Sequence, residues 1–263
     1  MNQQGSSRAG IYPGHTDPIR IVPLRVLDAA CGPARAPAVP PKLTYRNGPL
    51  ISNVEVFTIF WGSGWQQSST AAIVQRLNDF IDFILTSALI DQLGEYSVPA
   101  YSIGHGRRTG SLNITTPAVG HSVSDSSIQH MLQQEISMNF AVPQPGPNML
   151  YFLFLPSGVR VVQGGSASCQ AFCGYHNDIS GQIFYAVMPF PDCAGCSANL
   201  STFDALTTTS SHELCEAITD PIPGRGWYDD VHGEIGDICA WQTKTVGSYT
   251  VQREWSNKAN ACV

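Results

Sequence analysis

The sequence predicts an α/β or α+β fold, in which helices flank a mixed sheet within a single domain. The prediction rests first on short apolar runs that alternate with longer segments of helical periodicity along the chain. It rests second on the absence of an internal repeat or a clear linker after the proline-rich first part of the 263 residues. We therefore expect an extended arm at 1–48, pinned at Cys31, and one domain at 49–263.

The first elements follow from local patterns. The segment NVEVFTIFW (53–61) alternates and then becomes wholly apolar, as in a buried strand. The segment 68–70 is placed to cap a long amphipathic helix, because apolar residues recur at three- and four-residue spacing as far as Leu89. The Gly- and Thr-rich segment 101–116 predicts a pair of strands.

The middle of the chain predicts a helix and two more strands. Asp125 is placed to cap a helix that runs through Phe140. The apolar runs MLYFLFL (149–155) and IFYAVM (183–188) predict buried strands, with a cysteine-rich loop between them. Alternation returns in SYTVQREW near the end of the chain.

Composition excludes some classes of partner. The net charge is −6 and the sequence contains no basic run, which argues against a nucleic-acid partner. No apolar stretch is long enough to span a bilayer. We expect a monomer.

The eight cysteines indicate an oxidising compartment. The first residues lack the apolar core of a secretory signal, so either the chain is not secreted by that route or the signal has been removed. The cysteines favour the second alternative, and we expect a secreted protein whose signal peptide is not present in the numbered sequence. Four cysteines lie close together in SCQAFC and CAGC, and a zinc ribbon built from them is an alternative to disulfides. These four are Cys169, Cys173, Cys193 and Cys196.

A helix predicted at about 201–219 carries the motif His212-Glu213-Leu-Cys-Glu216. Residues four apart share a helix face, so His212 and Glu216 can reach one metal ion. Zinc peptidases place two imidazoles in this way, with the intervening glutamate as general base. Here a glutamate replaces the second histidine, and zinc accepts its oxygen. The sequence therefore predicts a zinc-metallopeptidase-like helix, with Glu213 as the base.

A third ligand is expected downstream, in the segment GEIGDIC. Glu234 follows Glu216 by eighteen residues, and Asp237 follows three later. We expect Glu234 as the third ligand and Asp237 as the partner of the His212 ring, or as the ligand in place of Glu234. Extra carboxylate ligands favour harder cations, so Ca²⁺ is an alternative to Zn²⁺.

Three further side chains are candidates near this centre. Tyr228 or His232 is placed to stabilise the oxyanion that forms when water attacks a carbonyl. His176, in CGYHND, is a possible additional site residue, although a hydrogen-bonded loop residue is the alternative interpretation. Cys215, inside the motif, is expected to be buried and unpaired.

Six segments of the chain together resemble the plant EXORDIUM family, also called the phosphate-induced protein family, and its microbial relatives. The resemblance implies an extracellular, disulfide-bearing protein associated with cell walls, and it brings no established biochemical activity. The sequence departs from the family pattern at Cys215 and Asp220, and His232 lies in a loop that differs in the plant proteins. The segments are GPLISNVEVFTIFWG (48–62), SCQAFCGYH (168–176), SHELCEAITDP (211–221), GWYDD (226–230), GEIGDIC (233–239) and REWSNKANAC (253–262).

The resemblance also implies a disulfide pattern. It pairs Cys239 with Cys262 and leaves the four cysteines at 169–196 to pair among themselves. The motif residues that match the family are His212, Glu213, Glu216, Trp227, Tyr228, Glu234, Asp237 and His176.

The leading functional hypothesis is a secreted zinc-dependent peptidase that acts on a peptide or protein, with metal-bound water activated by Glu213. A second hypothesis is a non-catalytic extracellular module that binds cell-wall polysaccharide or a protein partner through Trp61, Trp65 and Trp227. A third is that the same acidic cluster is a structural Ca²⁺ site.

Overall fold

A six-stranded mixed sheet with helices on both faces organises the part of the chain that the computed structural model describes, residues 21–25 and 39–263. This confirms the predicted fold class. The strands are β1 (Ile21–Pro23), β2 (Asn53–Trp61), β3 (Gly104–Ile114), β4 (Met149–Phe154), β5 (Phe172–Ile179) and β6 (Ile183–Met188). The helices are α1 (Ser68–Ile84), α2 (Ala88–Leu93), α3 (Asp125–Met138), α4 (Ala194–Ser197) and α5 (Thr202–Thr219).

The strands lie in the order β1-β5-β6-β4-β2-β3. From β6 to β3 all neighbours are parallel, whereas β5 runs antiparallel to β6 and β1 antiparallel to β5. Shorter strands lie outside this sheet, and they are Thr44–Tyr45 with Trp227–Tyr228, Thr243–Val246 with Tyr249–Gln252, Trp255–Ser256 with Ala261–Cys262, and Ser122–Ser124 with Arg160–Gln163 and Ser166–Ala167.

The alternation of side chains along the strands creates two cores. On β2, Val56 and Phe60 pack with α1 and α5 on one face of the sheet. Phe57 and Ile59 pack with α3 on the other face. Both faces of the parallel strands are therefore buried, which explains why the sequence of β4 is wholly apolar.

Several predicted boundaries were wrong. The predicted long helix is two helices, because α1 ends at Ile84 and the Ser87 hydroxyl caps α2. The residue that precedes α1 is Gln67, which makes no side-chain capping bond. Asp125 is the first residue of α3, and Ser124 is its cap.

Two segments of the sheet also differ from expectation. The predicted strand pair at 101–116 is a single edge strand, β3, which pairs in parallel with β2. The predicted cysteine-rich loop contains β5, so His176 lies on a strand of the main sheet. Pairing with β6 and β1 stabilises this polar strand, and such long-range pairing is not visible in a local pattern.

The predicted N-terminal arm is described only in part. Ile21–Pro23 forms the edge strand β1, and Thr44–Tyr45 pairs with Trp227–Tyr228. Cys31 lies outside the described residues.

Three disulfides join cysteines that are 23 or 24 residues apart, and they agree with the implied pairing. The zinc-ribbon alternative is wrong, because its four sulfurs form two of these bonds. Cys215 is buried and free, as expected. Among the described residues, no helix is long and apolar enough to cross a membrane. The bonds are Cys169–Cys193, Cys173–Cys196 and Cys239–Cys262.

Candidate metal centre

Helix α5 carries three of the predicted site residues through the interior of the protein. The Ser201 hydroxyl accepts the backbone N–H of Asp204 at 3.1 Å and so caps the helix. The helix packs on β5 and β6, and every residue from 205 to 219 is buried. His212, Glu213 and Glu216 are each 0% exposed. Ionisable groups in such a position require partners, because burial of an unpaired charge is costly.

The segment 233–239, which we call the Glu234 turn, lies over these side chains. The Asp237 backbone N–H donates to Glu216 Oε1 at 3.1 Å, and the Asp237 carboxylate accepts the N–H of Glu234 at 3.1 Å. A Cβ at Gly236 would lie 2.7 Å from His212 Nδ1 and 2.9 Å from Glu216 Oε1. Glycine at this position therefore permits the close approach of the turn to the helix.

Strand β5 adds His176, which is 1% exposed, from the opposite side. Its Nδ1 lies 3.2 Å from Glu213 Oε2 and 3.5 Å from Glu216 Oε2. Its Nε2 lies 3.2 Å from the Asp220 carbonyl oxygen and 3.4 Å from Glu234 Oε1. A carbonyl only accepts hydrogen bonds, so Nε2 carries a proton, and Nδ1 is the nitrogen that faces α5.

Two groups of donor atoms result, and Glu216 belongs to both. The first group is His176, Glu216 and Glu234, and the second is His212, Glu216 and Asp237. Within each group the donor atoms lie within 4.8 Å of one another. The structure therefore brings together all four predicted ligands and adds His176.

Several of these atoms have no hydrogen-bond partner despite complete burial. They include both carboxylate oxygens of Glu234 and Glu216 Oε2. His212 Nε2 is also unpartnered, although it lies 2.9 Å from Glu216 Oε1, because the two atoms are poorly aligned for a hydrogen bond. Buried polar atoms are nearly always satisfied, so this arrangement fits donors that share a cation.

Burial and mutual repulsion disturb the carboxyl groups. Burial, reinforced by the charge of Glu216, raises the pKa of Glu234 and of Asp237 well above their usual values. Burial also raises the pKa of Glu213 to about 7, against the opposing bond from His176. Burial alone would raise the pKa of Glu216, but the neighbouring imidazoles lower it to about 2.

Burial has the opposite effect on the pKa values of the imidazoles. Burial alone would lower the pKa of His176 and of His212, but the surrounding carboxylates raise both well above the usual value. Protons therefore neutralise the cluster when no cation does so. A divalent cation would replace those protons on the same atoms.

Gln252 fixes the orientation of the His212 ring, and sequence reasoning missed it. Its Oε1 accepts the Trp241 N–H at 3.1 Å, and its Nε2 donates to the Gly236 carbonyl at 2.9 Å. These two backbone contacts define which end of the amide is nitrogen. The second N–H of Nε2 then points at His212 Nδ1, 2.8 Å away.

Glu254 is a second residue that no local sequence pattern indicated. It is 0% exposed, and neither carboxylate oxygen has a hydrogen-bond partner. Burial raises its pKa well above the usual value. Both Glu254 and Gln252 follow the motif by about forty residues, and only the pairing of the strand 249–252 beside α5 brings them near it.

The two predicted oxyanion donors, Tyr228 and His232, contact other residues. The His232 Nδ1 is 2.9 Å from Asp229 Oδ1, in a turn that Asp229 organises. Tyr228 belongs to a short strand, and the Arg46 guanidinium lies 4.7 Å from the centre of its ring. Oxyanion stabilisation by either residue stays a prediction.

The ligand candidates are mostly buried among the described residues. Asp237 is the one ligand candidate in the two donor groups that is partly exposed. Surface cavities of about 530 and 510 Å³ lie along α3, and no residue of the centre lines either one. Trp61 and Trp65 are buried, at 4% and 2% exposed, and Trp61 contributes to the lining of the 510 Å³ cavity.

Comparison of the chain with models of known protein families and with curated proteins finds no match. The resemblance to the EXORDIUM family therefore stays a prediction.

Proposed function

We propose that this protein binds a divalent cation in its interior, and that the cation joins α5, β5 and the Glu234 turn. The observation that carries the proposal is the set of buried, unpartnered carboxylate oxygens beside His176: both oxygens of Glu234, and Glu216 Oε2, which lies 3.5 Å from His176 Nδ1. A cation at this position would satisfy them and neutralise their charge. A structural role is favoured, because His212, Glu213, Glu216 and Glu234 are each 0% exposed.

The donor chemistry favours Zn²⁺ as the cation. Imidazole suits zinc and related transition metals, whereas Ca²⁺ takes oxygen ligands. His176 donates its Nε2–H to the Asp220 backbone carbonyl at 3.2 Å, which is the usual outer contact of a metal-ligating histidine. Nδ1 would then be the ligand atom.

A zinc-dependent peptidase is the second candidate function, and Glu213 favours it. This residue follows His212 directly, and its Oε1 has no hydrogen-bond partner. A bound metal would supply acidified water, and Glu213, whose pKa is raised to about 7, would accept the proton. Its peptide or protein substrate would reach Glu213 only after the centre opens.

We also propose that the protein works outside the cell. The three disulfides support this location, because such bonds persist in oxidising compartments. A cell-wall polysaccharide as partner rests on the resemblance alone.

The test of the proposed function is the metal content of the purified, disulfide-bonded protein after incubation with Zn²⁺. The wild type should retain stoichiometric zinc after desalting, and Glu234→Gln should bind it much more weakly. Glu135→Gln, on α3 at the opposite face of the sheet, is the matched control and should behave as the wild type. A wild type that retains no zinc contradicts the proposal.

The same samples separate the two candidate functions. If the role is structural, zinc raises the thermal midpoint and no peptide is cleaved. If the protein is a peptidase, cleavage is zinc-dependent, and Glu213→Gln abolishes it while it retains the metal.

A further inference from the structure

We propose that the centre holds two divalent cations, one in each donor group, with the Glu216 carboxylate as the bridge between them. This inference rests on the proposed function. It changes the role of Glu216 from a ligand of one ion to the shared ligand of two, and it assigns a separate ion to His212 and Asp237.

The two oxygens of Glu216 face different imidazoles. Oε1 lies 2.9 Å from His212 Nε2, and Oε2 lies 3.5 Å from His176 Nδ1. Two donors bound to one zinc ion at ordinary bond lengths and angles are about 3.0–3.5 Å apart. Each oxygen is therefore paired with one nitrogen at close to the separation that a shared cation produces.

Each position also has a carboxylate of its own. Glu234 completes the first group, with both oxygens buried and unpartnered. Asp237 completes the second group. The first position lies between β5 and α5, and the second lies between α5 and the Glu234 turn.

The charge of the cluster fits two ions. Glu213, Glu216, Glu234 and Asp237 together carry four negative charges when ionised, beside two imidazoles. One divalent cation neutralises two of these charges and leaves the others to protons. Two divalent cations neutralise all four, which lowers the cost of burying these carboxylates. The neighbouring Asp220 accepts backbone N–H groups, and burial raises the pKa of Glu254, so a proton can neutralise that residue.

Binding of a cation at the second position requires one local rearrangement. A cation on His212 Nε2 moves the ring proton to Nδ1, where Gln252 presents an N–H at 2.8 Å. The Gln252 amide must then turn over and offer its oxygen to Nδ1–H. This breaks the bonds to the Gly236 carbonyl and the Trp241 N–H, because each would then face a group of its own kind, so we expect the second ion to bind more weakly than the first.

The test is a calorimetric Zn²⁺ titration of the full chain with isosteric variants. The wild type should bind two equivalents in two steps of different affinity. Asp237→Asn should lose only the weaker step, Glu234→Gln only the tighter one, and Glu216→Gln should weaken both. Asp230→Asn, an exposed neighbour of the turn, is the control and should keep both steps.

The outcomes distinguish this inference from the proposed function. A single equivalent overturns the two-ion centre and leaves the proposed function standing, whereas no bound zinc contradicts both. If a variant fails to fold, a measurement on the wild type still tests the inference. Wild type loaded with Mn²⁺ should give the electron paramagnetic resonance spectrum of two coupled ions, and the spectrum of an isolated ion would overturn the inference.

Discussion

Strand β5 places a polar cluster on each face of the sheet, and the two clusters differ in one respect. On the α3 face, Asp125 Oδ1 accepts the hydroxyls of Tyr175 and Tyr185, both at 2.7 Å, and Oδ2 accepts the amide of Gln129 at 2.9 Å. On the α5 face, the next residue, His176, meets a group of carboxylates whose oxygens are partly unpartnered. The first cluster is complete, and the second is not.

The difference shows what each cluster requires. Neutral donors satisfy the single carboxylate of Asp125, so nothing has to be added to it. The α5 cluster has several carboxylates and only two imidazoles, so protons or cations must be added. Its behaviour should therefore depend on metal and on pH, whereas that of the Asp125 cluster should not.

The largest effect is expected from removal of the Cys239–Cys262 bond by serine at both positions. A loop of this length predicts a loss of about 3 kcal/mol in the free energy of unfolding. Because this bond anchors the Glu234 turn, zinc affinity should fall as well. Chemical denaturation and zinc titration measure the two effects.

The Cys169–Cys193 bond is the matched control, since its sequence separation is 24 against 23. Its removal should lower stability by a similar amount and leave zinc affinity unchanged. An equal loss of affinity in both variants would show that the turn has no special role.

Chelation should lower the thermal midpoint of the protein. A cation at one hundred times its dissociation constant stabilises the folded state by about 2.7 kcal/mol. For a chain of this size, that corresponds to roughly 5–10 °C. A scan with and without chelator measures the shift, and Glu216→Gln should show none. Identical scans of the wild type would contradict a structural cation.

A smaller effect is expected from Asp125→Asn. The amide oxygen can still accept the tyrosine hydroxyls, but the bonds lose their charge, so we expect a loss of about 1–2 kcal/mol in the free energy of unfolding. Urea denaturation measures it. Zinc content should stay the same, and a fall in zinc content would show that the two clusters are coupled through β5.

A further effect is expected from pH on the chelated protein. The pKa values of Glu213, Glu234 and Asp237 are raised in the folded state, so their contribution to stability is present below their ordinary pKa and is lost as pH rises through the raised values. The raised pKa values of the imidazoles act in the same direction.

Glu216 acts in the opposite direction. Its pKa is lowered to about 2, so its contribution is present above its ordinary pKa and is lost only at very low pH. Without metal, the thermal midpoint should therefore fall from pH 5 to pH 8. With zinc the midpoint should fall less, because protons compete less with the cation at higher pH. A chelated midpoint that rises over this range would contradict the account.

The sequence predicted the parts of the centre that depend on local spacing. The helix with His212 and Glu216 and the turn with Glu234 and Asp237 follow from short-range patterns. His176 was placed in a loop, because a polar segment such as GYHND has no strand periodicity. Its neighbours β6 and β1 make it a strand, and β1 lies about 150 residues away in the chain.

The partners that the sequence did not indicate are also products of long-range pairing. Gln252 reaches His212 because its strand packs against α5, forty residues distant in sequence. The burial of these side chains could not be predicted either, because it depends on how the Glu234 turn covers the helix. Spacing identified possible ligands, and tertiary packing decided which atoms face one another.

The most direct test of the central claim is an anomalous-difference map from crystals grown with zinc and measured at the zinc absorption edge. We expect a peak within bonding distance of Glu216 and an imidazole nitrogen, with Glu234 or Asp237 as a further ligand. A map without a peak there, in which Glu234 and Asp237 make direct hydrogen bonds to neighbouring side chains, would show that protons alone neutralise the cluster and would contradict the account.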